Sequence, residues 1–326
     1  MNTFGNIFRV SIFGESHGKW VGVTIDGCPA GLDVNEEDFA PDLERRKPGA
    51  AGTTPRVEDD ALFFVSGVFN NKTTGAPLTI VFENSNTRSA DYDAIKATPR
   101  PGHADFVLTK KFNGFNDHRG GGHSSGRLTV ALVAAGVVAK KTLGAVSVNA
   151  SLIEAGGSAD IEAAIARAIE LQDSIGGIVA CSVSGLPVGI GEPFFNSVES
   201  AISHAVFSIP AIKGIEFGSG FGAARMKGSE HNDPIVDEAG TTRTNHAGGV
   251  NGGISNGNEL YFRVAVKPTS STPKEQQTWS HATNSVGAFT VSGRHDLCIA
   301  LRVPVVVEAV TAIALADLLL VSKAYR

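Results

Sequence analysis

Apolar and polar positions alternate over several short stretches of this chain, then give way to longer runs that are apolar almost throughout. Leu260, Phe262, Val264 and Val266 alternate with Tyr261, Arg263 and Ala265, the period of a strand buried on one face. Strands are expected at Ile7–Phe13, Trp20–Asp26, Leu62–Ser66, Leu78–Glu83, Val146–Ala150, Ile178–Val183 and Glu259–Val266. Helices are expected at Glu36–Arg46, Ala104–Phe112, Leu128–Leu143, Ala159–Leu171, Val198–Phe207 and Val305–Val321. Ser158 reads as the N-cap of the fourth, with Asp160 in its first turn. Leu128–Ala139 holds only apolar residues, Gly and one Thr, as a buried helix would. Ala309–Val321 is interrupted by Asp317, which marks a core helix. Strands come in consecutive groups, without the strict alternation with helices of a doubly wound sheet, so the fold class is α+β. No Pro- or Ser-rich linker divides the chain, and one domain over 1–326 is expected. The stretches Gly214–Gly228, Gly240–Gly257 and Val266–Trp279 read as long loops of the kind that carry function.

Composition narrows the class. The 326 residues are 42% hydrophobic and 19% charged, as in ordinary globular proteins. A net charge of −5 argues against general affinity for nucleic acid. Basic residues are nevertheless bunched at Arg45-Arg46-Lys47, Arg119 and Arg127, which suits a small polyanion. The bland alternative for the triplet is a solvated helix end, where cations meet the C-terminal dipole. Cys28, Cys181 and Cys298 form no CxxC, so neither a disulfide framework nor a zinc ribbon is indicated, in keeping with a reducing cytoplasm. No signal peptide and no membrane-spanning apolar run is visible in the sequence, and a cytoplasmic location is expected.

The densest polar constellation is Asp117-His118-Arg119-Gly120-Gly121-Gly122-His123-Ser124-Ser125-Gly126-Arg127. Three glycines let the backbone turn sharply and approach a ligand. Feeding a buried helix, they put N–H groups and a positive dipole end where an anion can sit. Gly14-Glu15-Ser16-His17-Gly18 has the letters of a nucleophile elbow, but a second strand follows it, so it reads as a hairpin turn with His17 free to face a pocket. Arg100-Pro101-Gly102-His103-Ala104-Asp105 places His103 at a helix start, where it can donate a proton near neutral pH. Thr244–Gly249 and Gly252–Gly257 form a second glycine loop; Lys267-Pro268-Thr269-Ser270-Ser271 is a plausible phosphate seat; Gly293-Arg294-His295-Asp296 suits either a site or a surface ion pair. The histidines lack metal-like spacing, so no metal is expected. Neither a Walker A sequence nor a Rossmann glycine pattern is present. These features alone imply a cytosolic enzyme with a basic, glycine-lined pocket for a phosphorylated anion.

Taken in order, the segments resemble the chorismate synthase family. The resemblance is carried by 13–18, 42–48, 100–105, 117–129, 210–221, 245–257, 267–271 and 293–309. It implies a β-α-β sandwich with a helical core between antiparallel sheets, usually assembled as a homotetramer. It implies an anti 1,4-elimination of phosphate from 5-enolpyruvylshikimate-3-phosphate (EPSP), giving chorismate. The reaction would need reduced FMN without net redox change. By motif, His17, His103 and Asp296 would be catalytic: His17 at the flavin, His103 cationic near the leaving phosphate, Asp296 assisting deprotonation at the flavin. Arg45, Arg46, Arg127 and Ser16 would bind substrate, with Arg119 a further candidate. FMN would contact His123, Ser124, Ser125, Pro210, Ala211, Gly252, Lys267, Pro268, Thr269, Ser270, Ser271 and Arg294. No separate NADPH motif is visible, so an external flavin reductase is expected, with NADPH as a reductant to be tested. The chain departs from the family at His123, where Arg is common, in the tail Ser124–Thr129, and in lacking a basic residue within Gly49-Ala50-Ala51-Gly52. A flavin-binding paralogue with another phosphorylated substrate, and a non-enzymatic oligomeric scaffold, are the alternatives.

Overall fold

Two antiparallel sheets enclose a layer of buried helices in the computed structural model, which describes residues 2–55, 58–85, 97–291 and 295–325. With strands numbered along the chain, the first sheet has the order β1 (Thr3–Phe4), β2 (Arg9–Gly14), β3 (Trp20–Asp26), β7 (Leu78–Glu83), β4 (Leu62–Ser66). A short hairpin, β5 (Val68–Phe69) and β6 (Lys72–Thr73), lies beside it in sequence. The second sheet joins β8 (Ser147–Ala155), β9 (Gly177–Ser184), β10 (Ile212–Phe217) and β13 (Leu260–Val266) in the order β10-β13-β9-β8. Two hairpins complete the described strands: β11 (Val250–Asn251) with β12 (Ile254–Ser255), and β14 (Gln276–Ser280) with β15 (Ser285–Phe289).

The helices are α1 (Ala40–Arg46), α2 (Asp105–Lys111), α3 (Thr129–Leu143), α4 (Ile161–Leu171), α5 (Val198–Val206), α6 (Gly228–His231) and α7 (Val303–Ala324). α3 packs on the first sheet, α7 on β8 and β9 of the second, and the two helices pack on each other. Their apolar runs follow from this placement, because a helix between two sheets has no wet face. At their crossing, a Cβ on Gly136 would lie 2.3 Å from Ala309 Cβ, so glycine is what allows the approach. α7 is long and apolar enough to cross a bilayer, yet most of it is buried inside the protein. Asp317 explains how it stays in place: its buried carboxylate accepts the backbone N–H groups of Asn6, Ile7 and Phe8 at 2.7–2.9 Å. The chain's first strands are thereby tied to its last helix.

Where the structure departs from the sequence reading, local chemistry gives the reason. Ile212–Phe217, all but its first two residues assigned above to the Gly214–Gly228 loop, is strand β10, with a register shift at Ile212/Gly214 against β13. The Val266–Trp279 and Gly240–Gly257 stretches likewise contain the start of β14 and all of the β11–β12 hairpin. The N-cap of α4 is Asp160, whose carboxylate accepts from Ala163 N at 3.0 Å; Ser158 instead accepts from Asp160 N. The acid wins because it sits three residues before the N–H it caps.

Candidate active site

The β2–β3 hairpin turns at Gly14, whose φ of 97° and closeness to the Trp20 carbonyl, 2.3 Å from a Cβ placed there, admit no side chain. The turn carries Ser16 and His17, both buried. Against it lies the 119–124 segment, a 3₁₀ turn broken by positive φ at Gly120, Gly121 and Gly122. A Cβ on Gly120 would be 2.5 Å from His17 Cε1 and 2.7 Å from Ser16 Oγ. A Cβ on Gly121 would be 3.3 Å from His103 Cε1 and 3.5 Å from its Nε2. The bare backbone strap thus touches His17 on one residue and His103 on the next. Ser16 N donates to Gly122 O at 3.1 Å, and Ser124 Oγ donates to Gly121 O at 2.8 Å. His123 Nδ1 lies 2.7 Å from Gly14 O; a carbonyl only accepts, so this nitrogen carries the proton. Ser125 Oγ accepts from Arg127 N at the start of the turn leading into α3.

His103 stands at the start of α2. Its Nδ1 is 2.7 Å from Asp105 Oδ1 and 3.1 Å from Arg100 Nη2. Arg100 grips Asp105 with Nε and Nη2, both at 2.8 Å, and reaches Ser271 Oγ at 3.1 Å. Burial resists charge on Asp105, but hydrogen bonds from Arg100 and His103 outweigh it and hold the carboxyl far below the usual carboxylate range. Ser270 Oγ donates to Gly102 O at 2.8 Å and takes a bond from Lys267 Nζ at 2.6 Å, which fastens the 267–271 loop to the His103 turn. Ala211, with φ of 76°, accepts from Lys267 N at 2.9 Å, so Pro210 and Ala211 flank the same loop.

The arginines separate. Arg46 and Arg127 are buried and share the two oxygens of Asp60. Arg127 also donates to Asn84 Oδ1 at 2.9 Å and Glu83 O at 3.2 Å. Burial pulls Arg46 down to about 10 against the attraction of Asp60, with Arg302 and Arg127 adding repulsion. Burial likewise opposes the Asp60 charge, and Arg46 and Arg127 overcome it, leaving that carboxyl below its ordinary value. Asp296 accepts from Thr54 N at 2.9 Å and pairs with Arg302 Nη1 at 3.2 Å; Arg302 Nε in turn donates to Arg46 O at 2.8 Å. Arg45 joins a different cluster, bound by both nitrogens to Glu308 at 2.7 and 2.8 Å. Arg119 is closed on Asp117. Gly252 lies at the tip of the β11–β12 hairpin, beside Gly253, whose carbonyl receives Val198 N. Arg294 lies outside the described residues.

Asp60, Arg100, Asp105 and Arg302 were not singled out from the sequence. Asp105 and Arg100 lie inside a motif quoted above, two and three residues from His103, so a search for a histidine's carboxylate partner finds them. Arg302 lies six residues after its partner Asp296, inside the quoted 293–309 stretch, so a like search for that carboxylate's cation finds it. Asp60 has no such signal, because Arg46 and Arg127 are distant from it in sequence.

The donor set fits an anionic group. Thr269 Oγ1 is buried with no hydrogen-bond partner among the described residues. It sits in the Lys267–Ser271 loop, next to hydroxyls and an ammonium, where a phosphate would supply the missing acceptor. Arg46 Nε is also buried without a partner among the described residues. Among the described ion pairs here, three cations, Arg46, Arg127 and Arg302, face two anions, Asp60 and Asp296, a set suited to an incoming carboxylate or phosphate.

The chorismate synthase family pattern matches residues 8–320. A chorismate synthase from Chitinophaga pinensis is 67% identical, covering 99% of this chain and 98% of that protein. One from Dehalococcoides mccartyi is 44% identical, covering 98% and 96%. A crystal structure of chorismate synthase superposes with a TM-score of 0.76 at 27% identity, covering 97% of this chain and 92% of that one.

Proposed function

We propose, from the premise that this chain belongs to the chorismate synthase family and is a lyase, that it eliminates phosphate from EPSP with reduced FMN bound. The C3–O bond breaks, a proton leaves C6, and the products are chorismate and phosphate. The observation that carries this reading is the glycine strap, which holds His17 and His103 on adjacent residues.

The side chains divide the work. Arg46 and Arg127 form the cationic floor that receives the substrate's carboxylates, with Asp60 keeping the two guanidiniums apart and fixed. Arg45, engaged with Glu308, serves the scaffold of that floor. His103 turns its Cε1–Nε2 edge to the strap, where an Nε2 proton meets the leaving phosphate and stabilises its negative charge. His17 and Ser16, on the other side of the strap, offer polar contacts at the cofactor. Asp296 is held by Thr54 N and Arg302 with its carboxylate ready to accept a proton. Lys267, Thr269, Ser270 and Ser271 hold the cofactor's phosphate, with His123, Ser124, Ser125, Pro210, Ala211, Gly252, Pro268 and Arg294 assigned to its remaining contacts. Reduced FMN, when bound by these residues, would supply electron density that eases phosphate loss, without net redox change.

The same reading makes the protein a cytoplasmic homotetramer that depends on an external flavin reductase. Gel filtration with light scattering checks the assembly, and oxidised FMN with NADPH checks the dependence by giving no turnover. The deciding experiment is anaerobic: purified protein, chemically reduced FMN and EPSP, with chorismate and phosphate both quantified. Equal release of both, absent with oxidised FMN and lost in His103→Ala, is expected. Tight binding of reduced FMN with no turnover overturns the elimination and leaves a flavin-binding paralogue.

A further inference from the structure

We infer that Asp105 is a positioning residue that fixes the proton on Nδ1 of His103, so that Nε2 is the nitrogen that gains and loses a proton toward the glycine strap. The inference rests on the reaction proposed above only for its catalytic consequence; the tautomer is argued from the 2.7 Å approach of the Asp105 carboxylate to Nδ1.

Two groups approach His103 Nδ1: Asp105 Oδ1 at 2.7 Å and Arg100 Nη2 at 3.1 Å. One ring nitrogen cannot both donate to the carboxylate and accept from the guanidinium. The shorter contact and the charged acceptor decide for Nδ1–H donating to Asp105. Arg100 gives up the Nη2–H contact to Nδ1 but keeps the rest: its Nε and Nη2 hold the same carboxylate at 2.8 Å and its Nη1 holds Ser271 Oγ. Asp105 is itself immobilised, accepting Arg100 N at 3.1 Å as well and lying largely out of solvent. The ring is therefore held on its Nδ1 side, and its opposite edge lies against Gly121.

The arrangement has a sharp consequence. In Asp105→Asn the amide oxygen takes the Oδ2 place, where Arg100 N and Nε both donate, which puts the amide NH₂ in the Oδ1 place facing His103. Nδ1 must then accept, and the proton moves to Nε2 of the neutral ring. Removing the orienting carboxylate from a His–Asp pair lowers turnover by up to about 10⁴-fold elsewhere. Here Asp105→Asn leaves an Nε2–H in place but removes the carboxylate that stabilises the cationic His103 ring, the form that best meets the leaving phosphate.

The test uses the full chain labelled with ¹⁵N-histidine, without cofactor or substrate, at a pH above the imidazole titration. The His103 signals are identified by their loss in His103→Gln. Nitrogen shifts showing Nδ1–H in the wild type and Nε2–H in Asp105→Asn are expected, with kcat for chorismate formation down at least about 10²-fold and KM changed only a few-fold. Asp105→Glu keeps the charge; it retains Nδ1–H and recovers part of kcat. A wild-type ring protonated on Nε2, or a tautomer unchanged in Asp105→Asn, overturns the inference. Should Asp105→Asn fail to fold, loss of Nδ1–H in Asp105→Glu overturns it instead. If the tautomer switches while the wild type makes no chorismate, the positioning role stands and the proposed reaction falls.

Discussion

Arg45 and Arg46 are neighbours in sequence and occupy clusters of opposite character. Arg45 belongs with Lys140, Asp42 and Glu308 in the helical layer, two cations against two anions, with Ala150 N completing the contacts of Glu308. Arg46 belongs with Arg127 and Arg302 against Asp60 and Asp296, with one cation in excess and its Nε unpartnered among the described residues. Neutral, saturated clusters hold elements together. Clusters with surplus charge and unused donors need something else to complete them. The helix α1 serves both: Arg45 ties it to α7 and Asp42 to α3, while Arg46 joins the Asp60 cluster. Neighbours in one basic triplet can therefore have quite different surroundings: Arg45 is paired with Glu308 and Arg46 with Asp60.

The largest effect expected on the site side comes from Gly120→Ala. The new methyl falls within 2.5 Å of the His17 ring at a backbone φ of 57°. Turnover should drop by about 10² or more, since displacements near 1 Å cost that much. Gly121→Ala meets the His103 ring at 3.3 Å, a contact a side chain can yield to, and should lose distinctly less activity. Steady-state kinetics on both variants checks the order. Equal losses would mean that the strap matters for its flexibility and not for its two contacts.

Glu308→Gln and Arg46→Met test the two clusters directly. Glu308→Gln leaves Arg45 and Lys140 sharing only Asp42 among the described residues and should lower unfolding stability by about 3 kcal/mol, measured by denaturant titration. The folded fraction should keep KM for EPSP. Arg46→Met should raise that KM by about 10-fold or more, the loss of one charged hydrogen-bonding partner. A KM increase in Glu308→Gln as large as that in Arg46→Met would erase the distinction between the clusters.

Acid separates them less sharply, because both depend on depressed carboxylates. Burial resists the charge on Asp60, Asp105 and Glu308, and their cationic partners overcome it, so each folded value lies below the ordinary one. Such a group binds more protons when unfolded. Its stabilisation is complete above the ordinary carboxylate range and is lost as pH falls through the depressed folded value. Stability against pH should slope downward on the acid side, by up to about 1.4 kcal/mol per pH unit for each group. Glu308→Gln should remove one group's share of that slope. An unchanged slope would show that Glu308 is not depressed.

Much of this was legible in the sequence, for reasons that also mark its limit. The Leu260–Val266 alternation became β13, because one face of that strand is buried and the other is not. Asp317 inside an apolar run announced a core helix, and the amide groups it accepts explain why an acid is tolerated there. Glu308 sends the same signal nine residues earlier, and its partners from α1 and α3 follow only from the fold. β10 was half hidden because Gly214 and the bulge beside it break the alternation. The β14–β15 hairpin was hidden because β14 is mostly polar and β15, though mostly apolar, is exposed along most of its length, leaving no period to read. The glycine triplet announced a tight turn; that adjacent glycines touch different histidines could not be read without coordinates.

The smallest effect expected concerns His123, the position where the family commonly has Arg. Its Nδ1 proton is committed to Gly14 O at 2.7 Å, so the ring takes up a second proton only at Nε2. In the proposed site that proton adds a cation beside the anionic cofactor. FMN should bind a few-fold more tightly at the acid end of the range from about pH 6 to 8 than at the basic end. His123→Arg, charged throughout, should bind with a constant that is flat over that range. Flavin fluorescence titration at each pH measures both. A flat wild-type curve would place His123 with the scaffold, like Arg45, its bond to Gly14 serving only to tie the glycine strap to the β2–β3 turn.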